Sequence, residues 1–162
     1  MNKNKIKKHW DDLSKTFEKD LKSTTKTPTI KKLEINAIGQ NIKILRDNNE
    51  ISNILEVGCG NGYNLTGLSS QFPLINFTGI DYSEGMIENA NKIKTDLQLK
   101  NIGYHIGNIL NLDENKNLKN EYDMVFTNRC IINLNKIELQ QESIYNLSKK
   151  INSSLCCEVN TF

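Results

Sequence analysis

Three glycines at every second position, Gly58, Gly60 and Gly62, follow the apolar run Ile54 to Val57, and the carboxylate of Glu56 stands near the end of that run. Glycines allow a backbone to turn sharply and to approach a ligand closely. A helix that begins directly after them would aim free N–H groups and its positive end at the same ligand. The stretch "ILEVGCGNG" therefore predicts a ligand-binding loop between a strand and a helix.

A second acidic residue, Asp81, follows the glycine loop by about 20 residues, at the end of the next predicted strand. A carboxylate in this position can accept hydrogen bonds from both hydroxyls of a ribose. The glycine loop and Asp81 together indicate a cofactor that contains a nucleoside.

The spacing of the glycines argues against a dinucleotide. The dinucleotide pattern G-x-G-x-x-G requires a glycine where this chain has Tyr63, and the chain instead reads G-x-G-x-G. The carboxylate of Glu56 suits a cationic ligand and is unfavourable beside a diphosphate. A nicotinamide-dependent reductase and a non-enzymatic nucleoside-binding or scaffold domain remain open as alternatives.

Apolar and turn-forming segments alternate along the chain, which predicts strands joined by helices. Thr27 and Pro28 favour a helix from Pro28 to about Arg46, and further helices are predicted over 61–72, after the capping residue Ser83 and over 137–151. Strands are predicted over 53–57, 76–80, 103–106, 122–126 and 155–159, with a polar loop over 110–120. This alternation predicts an α/β fold, a three-layer sandwich around an open, mainly parallel sheet.

Helical spacing predicts which side chains face the sheet. They are Ile30, Leu33, Ala37, Ile38 and Leu45 in the first helix, Leu65, Leu68 and Phe72 in the second, Met86, Ile87, Ala90, Ile93 and Leu97 in the third, and Ile137, Ile144, Leu147 and Ile151 in the last. Ligands of such sheets bind outside the carboxyl ends of the strands. The glycine loop, Asp81, Asn108 and the pair Thr127 and Asn128 are expected to meet there.

Four stretches together resemble the class I S-adenosylmethionine-dependent methyltransferases. They are "ILEVGCGNG", "FTGIDYSEGMIENA", "IGNIL" and "YDMVFTNRCIINL", and the resemblance is specific from Asn53 to Leu134. It implies a Rossmann-like sheet, S-adenosyl-L-methionine as cofactor and transfer of its methyl group to an acceptor, here expected to be a small molecule.

The resemblance also implies a set of cofactor-binding residues: Glu56, Gly58, Cys59, Gly60, Asn61, Gly62, Asp81, Tyr82, Met86, Asn108, Ile109, Thr127 and Asn128. In this scheme the loop from Glu56 to Gly62 holds the methionine moiety, Asp81 the ribose, and Tyr82 with Met86 the adenine face. Asn108 departs from the family, which usually has an aspartate there, because an amide offers one acceptor oxygen and no charge.

Substrate-facing positions follow from the same resemblance. Family members often fold an N-terminal segment over the cofactor, which makes Trp10 a candidate, and they place acceptor-facing residues after the fourth strand, where this chain has Arg129 and Cys130. No general base is identified, and His105 is expected to be a core or edge residue. Holding donor and acceptor in line and excluding water can supply roughly 7–11 kcal/mol of the barrier.

Composition limits the other classes of function. With 162 residues and 37% hydrophobic residues, the chain suits one domain, and a net charge of +2 is too small to indicate a nucleic-acid groove or a membrane surface. No apolar run approaches the length of a membrane span, so a cytoplasmic location is expected. The basic stretch Met1 to Lys8 is expected to be a solvated tail. The four cysteines form no C-x-x-C pair, and no metal site is predicted.

The chain is expected to divide at residue 27. Residues 1–27 form a predicted tail and lid-like segment, and residues 28–162 form the predicted cofactor-binding domain. The resembling family continues past its fifth strand with another helix and two strands, whereas this sequence ends at Phe162. We therefore expect either a fragment of a longer protein or a shortened variant, in both cases with a truncated sheet whose unprotected edge favours self-association.

Overall fold

A computed structural model describes residues 3–25, 27–48 and 50–152. Its helices are α1 (Lys3–Phe17), α2 (Pro28–Asn48), α3 (Tyr63–Gln71), α4 (Glu84–Asp96) and α5 (Ile137–Ser148). Its strands are β1 (Asn53–Val57), β2 (Asn76–Asp81), β3 (Ile102–Ile106) and β4 (Met124–Phe126). Short 3-10 helices cover Leu21–Ser23, Ile109–Glu114 and Ile131–Asn133.

The four described strands form one parallel sheet in the order β3-β2-β1-β4. The order reverses at β1, which pairs with β2 on one side and with β4 on the other. This reversal opens a crevice at the carboxyl end of β1, directly before the glycine loop. The predicted fifth strand, 155–159, lies outside the described residues.

Apolar side chains cover both faces of the sheet, because neighbouring residues of a strand point to opposite sides. Ile54 packs with Leu65 and Phe77 in one cluster, while Leu55 packs with Val125 in the other. Helices α2, α3 and α4 supply the first cluster, and α5 with the 3-10 helix Ile109–Glu114 supplies the second. The predicted three-layer α/β fold is therefore confirmed.

The predicted helix faces are partly confirmed. Leu65, Leu68 and Phe72 are buried in or directly after α3, and so are Met86, Ile87, Ala90 and Ile93 in α4. Ser83 caps α4 by accepting a hydrogen bond from the Met86 N–H at 3.3 Å. The prediction for Leu97 is wrong, because the residue follows the last turn of α4 and is exposed.

The predicted face of α2 is confirmed in part. Ile38 is buried and Leu45 packs against the core, whereas Ile30, Leu33 and Ala37 are exposed. In the region of α5, Leu147 and Ile151 are buried as predicted, whereas Ile137 and Ile144 are exposed. The buried face of α2 also includes Lys31, which hydrophobic periodicity does not select because its side chain is charged.

The N-terminal helix α1 corrects the prediction of a solvated tail over Met1 to Lys8. Helix α1 begins at Lys3, contacts α4 and carries an ion pair one turn apart between Lys7 Nζ and Asp11 Oδ2 at 2.9 Å. Ser83 Oγ donates to Asp11 Oδ1 at 2.5 Å, and Asn89 Nδ2 donates to the Ser14 carbonyl at 3.0 Å. These contacts attach the N-terminal segment beside the crevice.

Two smaller points complete the fold. The stretch Ile109–Glu114, which overlaps the predicted polar loop, forms a 3-10 helix that buries Leu110 and Leu112. Within the described parts of the chain, no helix is long and apolar enough to cross a membrane.

Candidate functional site

A cavity of about 260 Å³ lies at the carboxyl ends of the strands. Its wall combines the glycine loop, the end of β2, the turn after β3 and the segment after β4 with side chains of α1 and α2. The predicted residues that line it are Trp10, Glu56, Gly58, Cys59, Gly60, Asp81, Tyr82, Asn108, Ile109, Asn128, Arg129 and Cys130. The fold thus brings most of the predicted site together from five separate segments.

The glycine loop makes the sharp turn that the spacing predicts, with its glycines in the left-handed conformation. Gly58 has a φ of +80° and Gly60 a φ of +55°, a region that residues with a Cβ adopt rarely. A Cβ on Gly60 would lie 2.7 Å from Thr24 Cγ2, and a Cβ on Gly58 would lie 2.5 Å from Cys130 Cβ. The loop is therefore shaped by contact with the N-terminal segment as well as by the strand-to-helix turn.

Asp81 joins the end of β2 to the glycine loop. Its Oδ2 accepts a hydrogen bond from the Gly60 N–H at 2.8 Å, and its Oδ1 accepts one from the Ser83 N–H at 2.9 Å. Burial raises the pKa of this carboxyl, and the backbone donors oppose that rise. A carboxylate has about four acceptor positions, so two remain for ligand hydroxyls.

Glu56 lies deeper, with 1% of its surface exposed. Its Oε1 accepts a hydrogen bond from Asn64 Nδ2 at 2.6 Å, whereas its Oε2 has no hydrogen-bond partner among the described residues. Burial raises the pKa of this carboxyl to about 7, although Asn64 and the charge of Lys31 act in the opposite direction. A cation in the cavity would favour the ionised form.

A polar network missed by the sequence analysis connects Glu56 to the segment after β4. Lys31 Nζ donates to Asn64 Oδ1 at 3.1 Å and pairs with Glu34 Oε2 at 2.6 Å. Arg129 Nη2 pairs with Glu34 Oε1 at 3.2 Å. The signal that could have revealed Lys31 is its helical spacing from Ile38 and Ile42, which places it on the buried stripe of α2.

Four predicted cofactor residues do not line the cavity: Asn61, Gly62, Met86 and Thr127. Met86 is buried with 1% exposure, and Thr127, the first residue after β4, is also buried. Asn61 Nδ2 donates to the Asp20 carbonyl at 3.1 Å and to Ser23 Oγ at 2.6 Å, so it attaches the N-terminal segment to the loop. Gly62 precedes α3 with a φ of +80°.

The remaining predicted residues differ in their surroundings. Trp10 lines the cavity from α1, with its ring edge-on to that of His9. Asn108 Oδ1 accepts from the Leu110 N–H at 3.0 Å and so caps the following turn. Burial raises the pKa of Cys130 to about 12 and also raises that of Cys59, so both thiols keep their protons at neutral pH. His105 lies in β3, away from the lining residues.

A parallel α/β sheet whose strand order reverses beside a glycine loop and an acidic second strand is the architecture of Rossmann-like folds that bind nucleoside cofactors. The family model described as "Methyltransferase domain" matches residues 48–159, more than half of the chain. The chain therefore belongs to this methyltransferase domain family, which confirms the family that the sequence resembles.

Curated relatives agree with this assignment. The malonyl-[acyl-carrier protein] O-methyltransferase of Priestia megaterium is 29% identical over 157 residues, which cover 96% of this chain and 51% of that protein. The protein of the same name from Bacillus cereus is 35% identical over 85 residues, covering 52% of this chain and 29% of that protein. The chain thus spans about half, or less, of the length of these relatives.

Solved structures show the same fold. The plantazolicin methyltransferase BpumL in complex with SAH superimposes with a TM-score of 0.67 at 22% identity, covering 98% of this chain and 60% of that one. The structure of PKMT2 from Rickettsia typhi in complex with AdoHcy has a TM-score of 0.58 at 25% identity and covers 66% of this chain and 20% of that one.

Proposed function

We propose that the cavity binds S-adenosylmethionine and that the protein transfers the methyl group to a small-molecule acceptor. The observation that carries this proposal is the buried carboxylate of Glu56, whose Oε2 lacks a partner among the described residues at the edge of the glycine loop. A buried carboxylate is stabilised by a cation and destabilised by a phosphate. The residues present therefore fit a cationic cofactor.

In this proposal each part of the cofactor contacts different residues of the cavity wall. Glu56 and the loop from Gly58 to Gly60 receive the methionine end, and Asp81 accepts the ribose hydroxyls through its two unused acceptor positions. Tyr82 and Ile109 offer apolar surface to the adenine.

The residues around these walls complete the assignment. Asn108 presents its amide to the edge of the adenine, and the backbone at Asn128 meets the amino-acid end. Four predicted residues do not line the cavity, and in this proposal they pack behind its wall: Asn61, Gly62, Met86 and Thr127.

The chemistry requires little from the protein beyond position. When bound, the sulfonium cofactor supplies an electrophilic methyl group. Trp10 and Thr24 place the N-terminal segment on the cavity wall, where it limits the access of water. This contact supports a division into a lid-like segment, residues 1–27, and a cofactor-binding domain, residues 28–162. Correct positioning can supply roughly 7–11 kcal/mol of the barrier, so no general base is assigned.

The chemical nature of the acceptor is inferred from a distant relative. The Priestia megaterium relative is named for O-methylation of a malonyl group on acyl-carrier protein. At 29% identity over 96% of this chain, the relationship supports an oxygen acceptor on a small molecule or on a small carried group.

A binding experiment separates this proposal from its two alternatives. We expect S-adenosylhomocysteine at 100 times its dissociation constant to stabilise the protein by about 2.7 kcal/mol, which raises the melting temperature by about 5–10 °C. A nicotinamide dinucleotide should leave the melting temperature unchanged. Stabilisation by the dinucleotide alone would favour a reductase, and stabilisation by neither compound would favour a scaffold domain. Asp12→Ala, in an exposed ion pair on α1, is the control variant that should behave as wild type.

A further inference from the structure

Arg129 occupies an unusual position directly after β4. Its φ of +57° lies in the left-handed region, which a residue other than glycine adopts rarely and at a cost in free energy. The Asn133 side-chain Nδ2 donates to its carbonyl at 2.6 Å and so holds the turn. The side chain lines the cavity and is 33% exposed. The backbone is thus held in a conformation that keeps a guanidinium at the wall of the site.

The charge of Arg129 is not balanced by its ion pair. Glu34 is a single carboxylate shared by two cations, with Lys31 Nζ at 2.6 Å and Arg129 Nη2 at 3.2 Å. The side chain of Lys31 is 8% exposed and that of Glu34 is 12% exposed. The shorter and more buried contact of Glu34 is with Lys31, so Arg129 is the more weakly paired of the two cations at the cavity.

The guanidinium also has unused donors. Its contacts with Glu34 are made by Nη2 alone, and neither Nε nor Nη1 donates a hydrogen bond to any residue within the described ranges. A guanidinium presents its N–H groups in a planar fork that matches the two oxygens of a carboxylate. One edge of Arg129 is therefore available for an anion.

The surroundings favour a carboxylate over a phosphate. Glu56 and Asp81 already line the same cavity, so a dianion would be repelled more strongly than a monoanion. Cys130, Ile132 and Leu134 follow Arg129 on the same wall and offer apolar surface beside the guanidinium. A monoanion attached to an apolar chain matches both features.

We propose that Arg129 is the specificity-determining residue for the acceptor and selects molecules that carry a carboxylate on an apolar chain. This inference rests on the proposed methyltransferase function, because it assigns the acceptor side of the same cavity. Glu34 acts as the internal counter-ion that holds the guanidinium before the acceptor arrives.

The test compares hexanoate with hexanamide, two probes of the same shape that differ in charge. Each is titrated into the full chain with and without saturating S-adenosylhomocysteine. Binding is followed by the fluorescence of Trp10, the single tryptophan of the chain, which lines the cavity, and by ligand-observed NMR. We expect hexanoate to bind about tenfold more tightly than hexanamide, as for a hydrogen bond between charged groups.

Three variants sharpen the comparison. Arg129→Gln should abolish the preference for hexanoate, Arg129→Lys should retain part of it because the charge remains without the fork, and Glu34→Gln should increase it because the competing anion is removed. Arg46→Gln, on an exposed position at the end of α2, is the matched control and should behave as wild type. Circular dichroism and the melting temperature show whether each variant folds.

Either of two results would overturn the inference: equal binding of the two probes by the wild-type chain, or an unchanged hexanoate preference in folded Arg129→Gln. If Arg129→Gln does not fold, an undiminished preference in Arg129→Lys overturns it equally. S-adenosylhomocysteine binding without a hexanoate preference removes this inference and leaves the proposed function. A hexanoate preference without S-adenosylhomocysteine binding removes the proposed function and leaves the carboxylate site.

Discussion

Two carboxylates line the same cavity in opposite environments. Asp81 accepts hydrogen bonds from the Gly60 and Ser83 N–H groups, one on each oxygen, and is partly exposed. Glu56 is buried and has a single hydrogen bond, from Asn64, so that Oε2 has no partner among the described residues. Asp81 has acceptor positions left for a neutral ligand group, whereas burial disfavours the ionised form of Glu56 and a cation would stabilise it.

The difference between Asp81 and Glu56 indicates which carboxylate should contribute more to the free energy of ligand binding. Backbone donors stabilise Asp81 in the empty protein, so its hydrogen bonds to a ribose would add to an existing arrangement. The ionised form of Glu56 is destabilised by burial in the empty protein. A cationic ligand would remove this penalty, which makes the methionine end of the proposed cofactor the part most sensitive to mutation.

The largest effect should come from Glu56→Gln, which keeps an acceptor for Asn64 and removes the charge. We expect the affinity for S-adenosylhomocysteine to fall about 100-fold, because a buried charge-assisted contact is lost. Isothermal titration calorimetry at pH 8 measures this, with Glu88→Gln on the exposed face of α4 as control. Unchanged affinity would show that Glu56 is only structural.

The Glu56→Gln variant also tests how far ionisation of Glu56 lowers the free energy of unfolding. The pKa of Glu56 is raised from 4.5 to about 7 in the folded state, so the folded protein binds more protons than the unfolded chain between these values. The stability contribution of Glu56 therefore falls as the pH rises from about 4.5 to about 7, by about 3 kcal/mol in total. Urea unfolding at pH 5 and pH 8.5 should show that this fall is absent in Glu56→Gln. An identical pH dependence in both proteins would contradict the assignment.

Gly60→Ala should disrupt the hydrogen bond between the Gly60 N–H and Asp81. Alanine at a φ of +55° is strained, and its Cβ would lie 2.7 Å from Thr24 Cγ2. The loop must shift, which misplaces the N–H that donates to Asp81. We expect affinity for S-adenosylhomocysteine to fall about 30-fold. Gly39→Ala, in the interior of α2 with its nearest contact at 3.4 Å, is the matched control. Equal affinity in the two variants would show that the loop tolerates a side chain.

A smaller loss is expected for Asp81→Asn. The amide retains one acceptor oxygen, so one of the two backbone hydrogen bonds survives and the charge-assisted contact to a ribose is lost. We expect about tenfold weaker binding of S-adenosylhomocysteine with little change in melting temperature. Asp12→Asn, exposed on α1, is the control. A loss larger than that of Glu56→Gln would reverse the ranking of the two carboxylates.

The finest measurement is proton release on binding. Because the pKa of Glu56 is about 7, about half of the carboxyl groups are protonated at pH 7. Binding of the cation S-adenosylmethionine should therefore release about half a proton per site. Lys31 lowers this pKa, whereas Asp81 and Glu34 raise it. Calorimetric enthalpies in phosphate and in Tris should differ accordingly for the wild-type protein and agree for Glu56→Gln. Equal enthalpies in both buffers for the wild-type protein would leave Glu56 without this role.

Local sequence features determined much of the fold and of the cofactor wall. The alternation of apolar runs and turns predicted β1, β2, β3 and β4 to within two residues, and Ser83 and Pro28 marked the helix starts. The glycine loop and Asp81 were recognisable because a sharp turn needs glycine locally and Asp81 lies at the end of a strand. Such features are set by residues close together in the chain.

The polar network that joins Glu56, Lys31, Glu34 and Arg129 was decided by tertiary structure. Lys31 and Glu34 lie on α2, Asn64 on α3 and Arg129 after β4, and no pattern in the sequence connects these three segments. The buried face of α2 combines Ile38 and Ile42 with Lys31, which contacts Asn64 of α3, while Ile30 and Leu33 are exposed. Hydrophobic periodicity indicates that a helix has a buried face, but contacts between segments far apart in the chain decide which face is buried and which charges share it.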